Sequence, residues 1–142
     1  MKVTKFEEVF CVKKVLFIIL SLIIFICIGC GKDSYTSKTA IKNGDVVVAN
    51  GNQYNVEKLD EFMENVKNNI KDKVRITRYT IEGDAIITDL DYDGENINYT
   101  DDNTRDSFGK PSIVTEKFEG ASIYKNGSKY YLRNSYVEIL IY

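Results

Sequence analysis

The sequence predicts an α+β domain: one amphipathic helix packed on a mainly antiparallel meander sheet of about five to seven strands. Three observations lead there. Apolar residues recur at helical spacing once, from Leu59 to Ile70. β-Branched and aromatic residues alternate at period two in several runs after Val74. Short turn formers (Glu82-Gly83-Asp84, Asp93-Gly94 and Asn126-Gly127) separate those runs.

The elements follow in order. Residues 45–49, DVVVA, read as a short first strand, turned by Asn50-Gly51-Asn52. Asn55 stands where an N-cap belongs, and Glu57 places an acid in the first helical turn. Leu59, Phe62, Met63, Val66 and Ile70 then form one apolar stripe that faces a core, with Lys67, Lys71 and Lys73 near its C-terminal end. Residues 74–81, VRITRYTI, form a strand joined through Glu82-Gly83-Asp84 to AIITDLDY. Residues 101–112, DDNTRDSFGKPS, hold turn formers and the single proline, Pro111; a loop of this length often carries function. Residues 113–124 read as one irregular strand bent at Gly120. Asn126-Gly127 makes a hairpin tip that aligns Ile123 with Tyr130 and Ala121 with Leu132, and the chain ends in VEILIY.

The stretch DLDYDGENINYT, residues 89–100, opens like a calcium-binding EF-hand loop, with Asp89, Asp91, Asp93 and Gly94 at positions 1, 3, 5 and 6. The match then fails: Ile97 stands at position 9 and Thr100 at position 12, where a bidentate Glu is needed. The flanks alternate at period two, as strands do. A β-hairpin with Asp93-Gly94 at its tip is expected instead, with Tyr92 opposite Glu95 and Leu90 opposite Ile97. That register sorts Leu90, Tyr92, Ile97 and Tyr99 to one face and Asp89, Asp91, Asn96 and Asn98 to the other. No metal site and no cofactor are expected.

The N-terminal residues set an expectation of location. A basic start is followed by VLFIILSLIIFICIG, residues 15–29, without a charge. Fifteen helical residues span only about 22 Å, short of a ~30 Å hydrocarbon core, so the run suits a signal peptide better than an anchor helix. It ends Cys27-Ile28-Gly29-Cys30-Gly31, which resembles a bacterial lipobox. The resemblance implies cleavage after residue 29 and lipid on Cys30. The expected organisation is a lipoprotein signal peptide over 1–29, a flexible polar tether over 30–44 and a single α+β domain over 45–142. The expected location is the extracytoplasmic face of the bacterial cell membrane.

Composition excludes several chemistries. The chain has no His, so Ser-His and Cys-His catalysis and His-containing zinc sites are absent. Cys11 and Cys27 fall in the removed segment and Cys30 would carry lipid, leaving no thiol nucleophile or disulfide in the exported part. That part holds fifteen Lys and Arg against nineteen Asp and Glu, a balance opposed to nucleic-acid binding.

Between Glu82 and Asp106 stand nine acidic residues and one basic residue, Arg105. Such a run is commonly a solvated face. Clustered, it would attract a cation, a basic peptide or a cationic wall polymer. The candidate binding surface is Asp89, Asp91, Asp101, Asp102, Asn103, Thr104, Arg105 and Asp106. The bland alternative has Arg105 paired with Asp102 or Asp106, merely pinning the loop.

The segments GDVVVANGNQYNVEKLDEFMENV, RITRYTIEGD, DLDYDGENINYT and DNTRDSFG, in that order and spacing, resemble the small Gram-positive bacterial lipoproteins of the domain of unknown function 4362 family. The likeness covers residues 45 to about 110 and fades after Pro111. It implies location and a single fold rather than a mechanism. The expected function is a lipid-anchored, non-catalytic envelope module that binds an exported protein, a basic peptide or a wall polymer. Two other readings stay open: a small carboxylate-dependent wall-glycan hydrolase, and an inhibitor or partner of an exported enzyme.

Overall fold

A computed structural model describes residues 35–142. The expected signal peptide, Cys30 and the first part of the expected tether lie outside the described residues. Residues 35–142 form one unit. Its elements are α1 (Ser37–Asn43), β1 (Val46–Ala49), β2 (Asn52–Tyr54), α2 (Glu57–Lys67), β3 (Asp72–Tyr79), β4 (Ala85–Tyr92), β5 (Asn96–Asp102), β6 (Ile113–Glu119), β7 (Ser122–Asn126), β8 (Lys129–Arg133) and β9 (Glu138–Leu140). The α+β class stands. Among the described residues a second helix, α1, precedes the expected one, and the strands divide into a six-stranded sheet, β2-β1-β3-β4-β5-β6, and a three-stranded sheet, β7-β8-β9.

Helix α1 occupies seven of the fifteen residues of the expected tether. The Thr36 hydroxyl accepts the Thr39 N–H, an N-cap, and Gly44 at φ 86° ends the helix. There the Gly44 N–H donates to the Ile41 carbonyl and the Asp45 N–H to the Ala40 carbonyl. Ala40 and Ile41 lie on β1 with Val47, Ala49, Tyr35 and Tyr79 as a small second core. Asn55 is not the cap of α2. It adopts a left-handed φ of 56°, and its amide donates to the carbonyls of Ile41 and Asp45, fastening the start of α2 to the α1–β1 corner.

Helix α2 buries Leu59, Phe62 and Val66 on the opposite face of the large sheet, as its stripe predicts. Ile70 does not join them and is 52% exposed, because the helix stops at Lys67 and Asn69 turns the chain at φ 57°. Strands β1, β3 and β4 supply Val46, Val74, Ile76 and Leu90 beneath α2, the small sheet adds Ile123, Tyr130 and Leu132, and Ile141 joins them just after β9. Since α2 returns the chain between β1 and β3, those two strands run parallel; every other pairing is antiparallel.

Two hairpins keep their predicted faces but shift by two residues. Tyr92 pairs with Ile97 and Leu90 with Tyr99. The Asp93 carboxylate accepts the N–H groups of both Glu95 and Asn96 and widens the turn beyond a two-residue tip. Ile123 pairs with Leu132 and Lys125 with Tyr130, so Gly127-Ser128 is the tip. The expected single strand over 113–124 is two strands in different sheets. Gly120, at φ 58°, carries the chain from one to the other.

Candidate binding groove

Strand β4 places Asp89 and Asp91 on one face, two residues apart, and β3 places Arg75 and Lys73 opposite them. Arg75 holds Asp89 with two hydrogen bonds, and Lys73 Nζ lies 2.7 Å from Asp91 Oδ2. Asp89 raises the Arg75 guanidinium pKa above its ordinary value, and Asp91 does the same for the Lys73 ammonium. Asp101 points to the other face, where its carboxylate accepts from Arg78 at 3.2 Å and from the Thr88 hydroxyl at 2.7 Å. Asp102 accepts from Arg105, at 2.7 Å, and from the Thr104 hydroxyl. The acids read as one negative surface are therefore divided between two sheet faces, and four of them have cationic partners.

The loop after β5 is pinned by its own polar side chains. Asn103 Oδ1 accepts from the Ser112 N–H and hydroxyl, closing the loop base. Asp106 Oδ1 accepts from the N–H groups of Phe108 and Gly109, and the Ser107 N–H reaches Asp84 Oδ2 at 2.7 Å. Asn103, Thr104, Arg105 and Asp106 thus hold the loop's shape, which is the bland reading of that segment. Among the described residues no group of three or more His, Cys, Asp or Glu is arranged to hold a metal ion.

Asp89 and Asp91 do border a groove of about 560 Å³ between the end of α1, the exposed side of α2 and the first half of β3. Asn43 and Gly44 close one end, and Lys58 and Glu61 form the α2 wall. The groove exists because β1 is short. It pairs with β3 only at Ile76, Thr77 and Arg78, so residues 72–75 have a strand partner on the β4 side alone. At this open edge the Lys73 N–H is taken by the Asp72 carboxylate at 2.7 Å, a side chain standing where a neighbouring strand's carbonyl would otherwise be. Asn65 of α2 donates to the other Asp72 oxygen at 2.9 Å.

Behind the groove sits a buried polar cluster. Asp45 is 6% exposed, and its Oδ2 accepts from the Thr77 hydroxyl and the Tyr35 hydroxyl, each at 2.7 Å. Asn43 donates to that Tyr35 oxygen, and the Tyr79 hydroxyl donates to the Tyr35 carbonyl at 2.7 Å. Burial, with the nearby Tyr35 and Asp45 charges, pushes the Tyr79 hydroxyl pKa up to about 12; burial raises that of Tyr35 as well. These bonds tie α1 to the sheet and fix the groove's closed end.

Sequence reasoning missed Lys58, Asp72, Lys73, Arg75 and Asp45 as site residues. One signal was available: Lys73 and Arg75 stand two residues apart, opposite the acids of the next strand once the hairpin is folded. The family model described as "Domain of unknown function (DUF4362)" matches residues 43–131, from the end of α1 into β8. It extends well beyond Pro111, where the segments that suggested the likeness end. No curated protein and no solved structure matches the chain.

Proposed function

This chain belongs to the DUF4362 family, and we propose that it is a lipid-anchored protein on the outer face of the bacterial cell membrane whose domain binds an extended segment of another exported polypeptide without catalysis. The anchoring part rests on the sequence: an uncharged run over residues 15–29 ending in Gly29-Cys30. The binding part rests on one observation, the open edge of β3 at residues 72–75 inside a groove with charged walls. An extended peptide adds to such an edge through main-chain hydrogen bonds, and the flanking side chains select it. Lys58 and Glu61 offer charges of both signs to the side chains of such a segment.

The carboxylate arrangement supports binding over glycan hydrolysis. Hydrolysis by a carboxyl pair needs one acid kept protonated by an apolar or anionic surrounding. Asp89 and Asp91 each lie against a cation instead.

Two measurements test the reading. Replacing Lys73 by a photoreactive amino acid in cells should yield a discrete adduct with an exported protein, mapped to one extended segment, while the same replacement at Tyr136 should not. Adducts with wall glycan only, or none, would overturn it. Cys30→Ala should abolish incorporation of labelled fatty acid, and continued incorporation would remove the lipid-anchor reading.

A further inference from the structure

One end of the large sheet gathers three exposed apolar side chains with the point where the chain enters. Strand β1 runs parallel to β3, and α1 runs back along it, so Tyr35 lies at the Tyr79 end of β3, held by the Tyr79 hydroxyl. The same end carries the β3–β4 turn and the loop between β5 and β6. In that turn Ile81 is 100% exposed; in that loop Phe108 is 80% exposed; and Ile113, which opens β6 opposite Asp102, is 62% exposed. Turn and loop are joined, since Asp84 Oδ2 accepts the Ser107 N–H and the Asp84 carbonyl accepts the Thr80 N–H, one residue from Phe108 and from Ile81 respectively. Single exposed apolar residues are ordinary on protein surfaces. Three on linked segments at the chain's point of entry are not explained by packing within the domain.

We propose that this end docks on the phospholipid bilayer, with Ile81 and Phe108 entering the interface between headgroups and acyl chains. The inference rests on the lipid-anchor reading of Cys30. From Cys30 to Tyr35 are five residue steps, no more than about 18 Å of chain even when extended. A lipid on Cys30 therefore keeps the Tyr35 end, and with it Ile81 and Phe108, at the membrane surface. The local charges favour an apolar contact over an electrostatic one. Asp102 is paired with Arg105, and the Asp84 and Asp106 carboxylates accept backbone N–H groups. Glu82 and Lys110 bring opposite charges to the turn and the loop. Docking should accordingly require no anionic lipid. It also orients the module: β3 starts at its Asp72 end, so the open edge at residues 72–75 lies toward the opposite end of the strand from the membrane.

The chain has no Trp, so a single introduced Trp reports one position. The full chain, processed in cells and reconstituted into phosphatidylcholine vesicles, is prepared as Ile81→Trp, Phe108→Trp and Tyr136→Trp. Tyr136 is 93% exposed but lies in the β8–β9 turn near Ser122, which follows the far end of β6. With acyl-brominated lipid, the Ile81→Trp and Phe108→Trp variants should lose most of their emission and Tyr136→Trp should keep its own, with or without phosphatidylglycerol. Equal, weak quenching at all three positions would overturn docking. Fatty-acid labelling of the same preparations reads the anchor separately: quenching without label would sustain docking and remove the Cys30 reading, and label without quenching would do the reverse.

Discussion

Arg75 grips Asp89 across the β3–β4 pair with two parallel hydrogen bonds, Nε to Oδ1 at 2.7 Å and Nη2 to Oδ2 at 2.8 Å. This fork settles what the acidic strand does. Asp89 is the first residue of the stretch that opens like a calcium loop, and its two oxygens already face a guanidinium. Asp91 faces Lys73. An ion entering here would have to displace two cations and would still lack the twelfth-position Glu, since Thr100 sits directly across from Asp89 in the ladder.

Calcium affinity should therefore be on the order of millimolar or weaker. Calorimetric titration of the purified chain checks this. Sub-micromolar binding that disappears in Asp91→Asn would contradict the pairing.

Phe62, on α2, is fully buried in the core cluster that also holds Leu59, Tyr130 and Leu132. Phe62→Ala should cost ~3–5 kcal/mol in denaturant unfolding, from lost burial and the cavity left behind. Ile70→Ala, at an exposed position after the helix, should cost less than ~1 kcal/mol. Equal effects at the two positions would mean that α2 does not pack through this face.

The Tyr79 hydroxyl gives a pH dependence. Its folded pKa is pushed up to about 12, against an ordinary value of about 10. The unfolded chain therefore releases this proton first. Stability from this group is whole below about pH 10 and is lost as pH rises toward 12. Denaturant midpoints measured across that range should fall for the parent chain and fall less steeply for Tyr79→Phe, with tyrosinate absorbance following the ionisation. Parallel pH slopes would exclude the assignment.

Legibility in the sequence followed what each pattern physically fixes. The stripe Leu59, Phe62, Val66 fixed a helix face, because burial at helical spacing leaves few alternatives. Alternation fixed strand faces, so Leu90, Tyr92, Ile97 and Tyr99 share a side as expected. It did not fix register. A shift by two preserves every face, and the shift was decided by the Asp93 side chain capping two N–H groups inside the turn. Helix α1 was hidden because SKTAIKN has two apolar residues, and its ends are set by Thr36 and Gly44 rather than by periodicity. The groove was hidden for a different reason. It arises from a length mismatch between β1 and β3, a relation between distant strands. The cations that neutralise Asp89 and Asp101 are 14 and 23 residues upstream. Counting charges along the chain separates them from partners that the ladder brings together.

The central claim is that the open edge of β3 is where a partner adds. The most direct measurement titrates the segment captured at position 73, made as a synthetic peptide, into the isotope-labelled full chain in detergent micelles, reading backbone amide shifts. The account predicts the largest changes at Asp72, Lys73, Val74 and Arg75, with the Lys73 N–H leaving the Asp72 carboxylate for the peptide. Changes centred on the 103–112 loop or on β7–β9, with residues 72–75 unmoved, would contradict it.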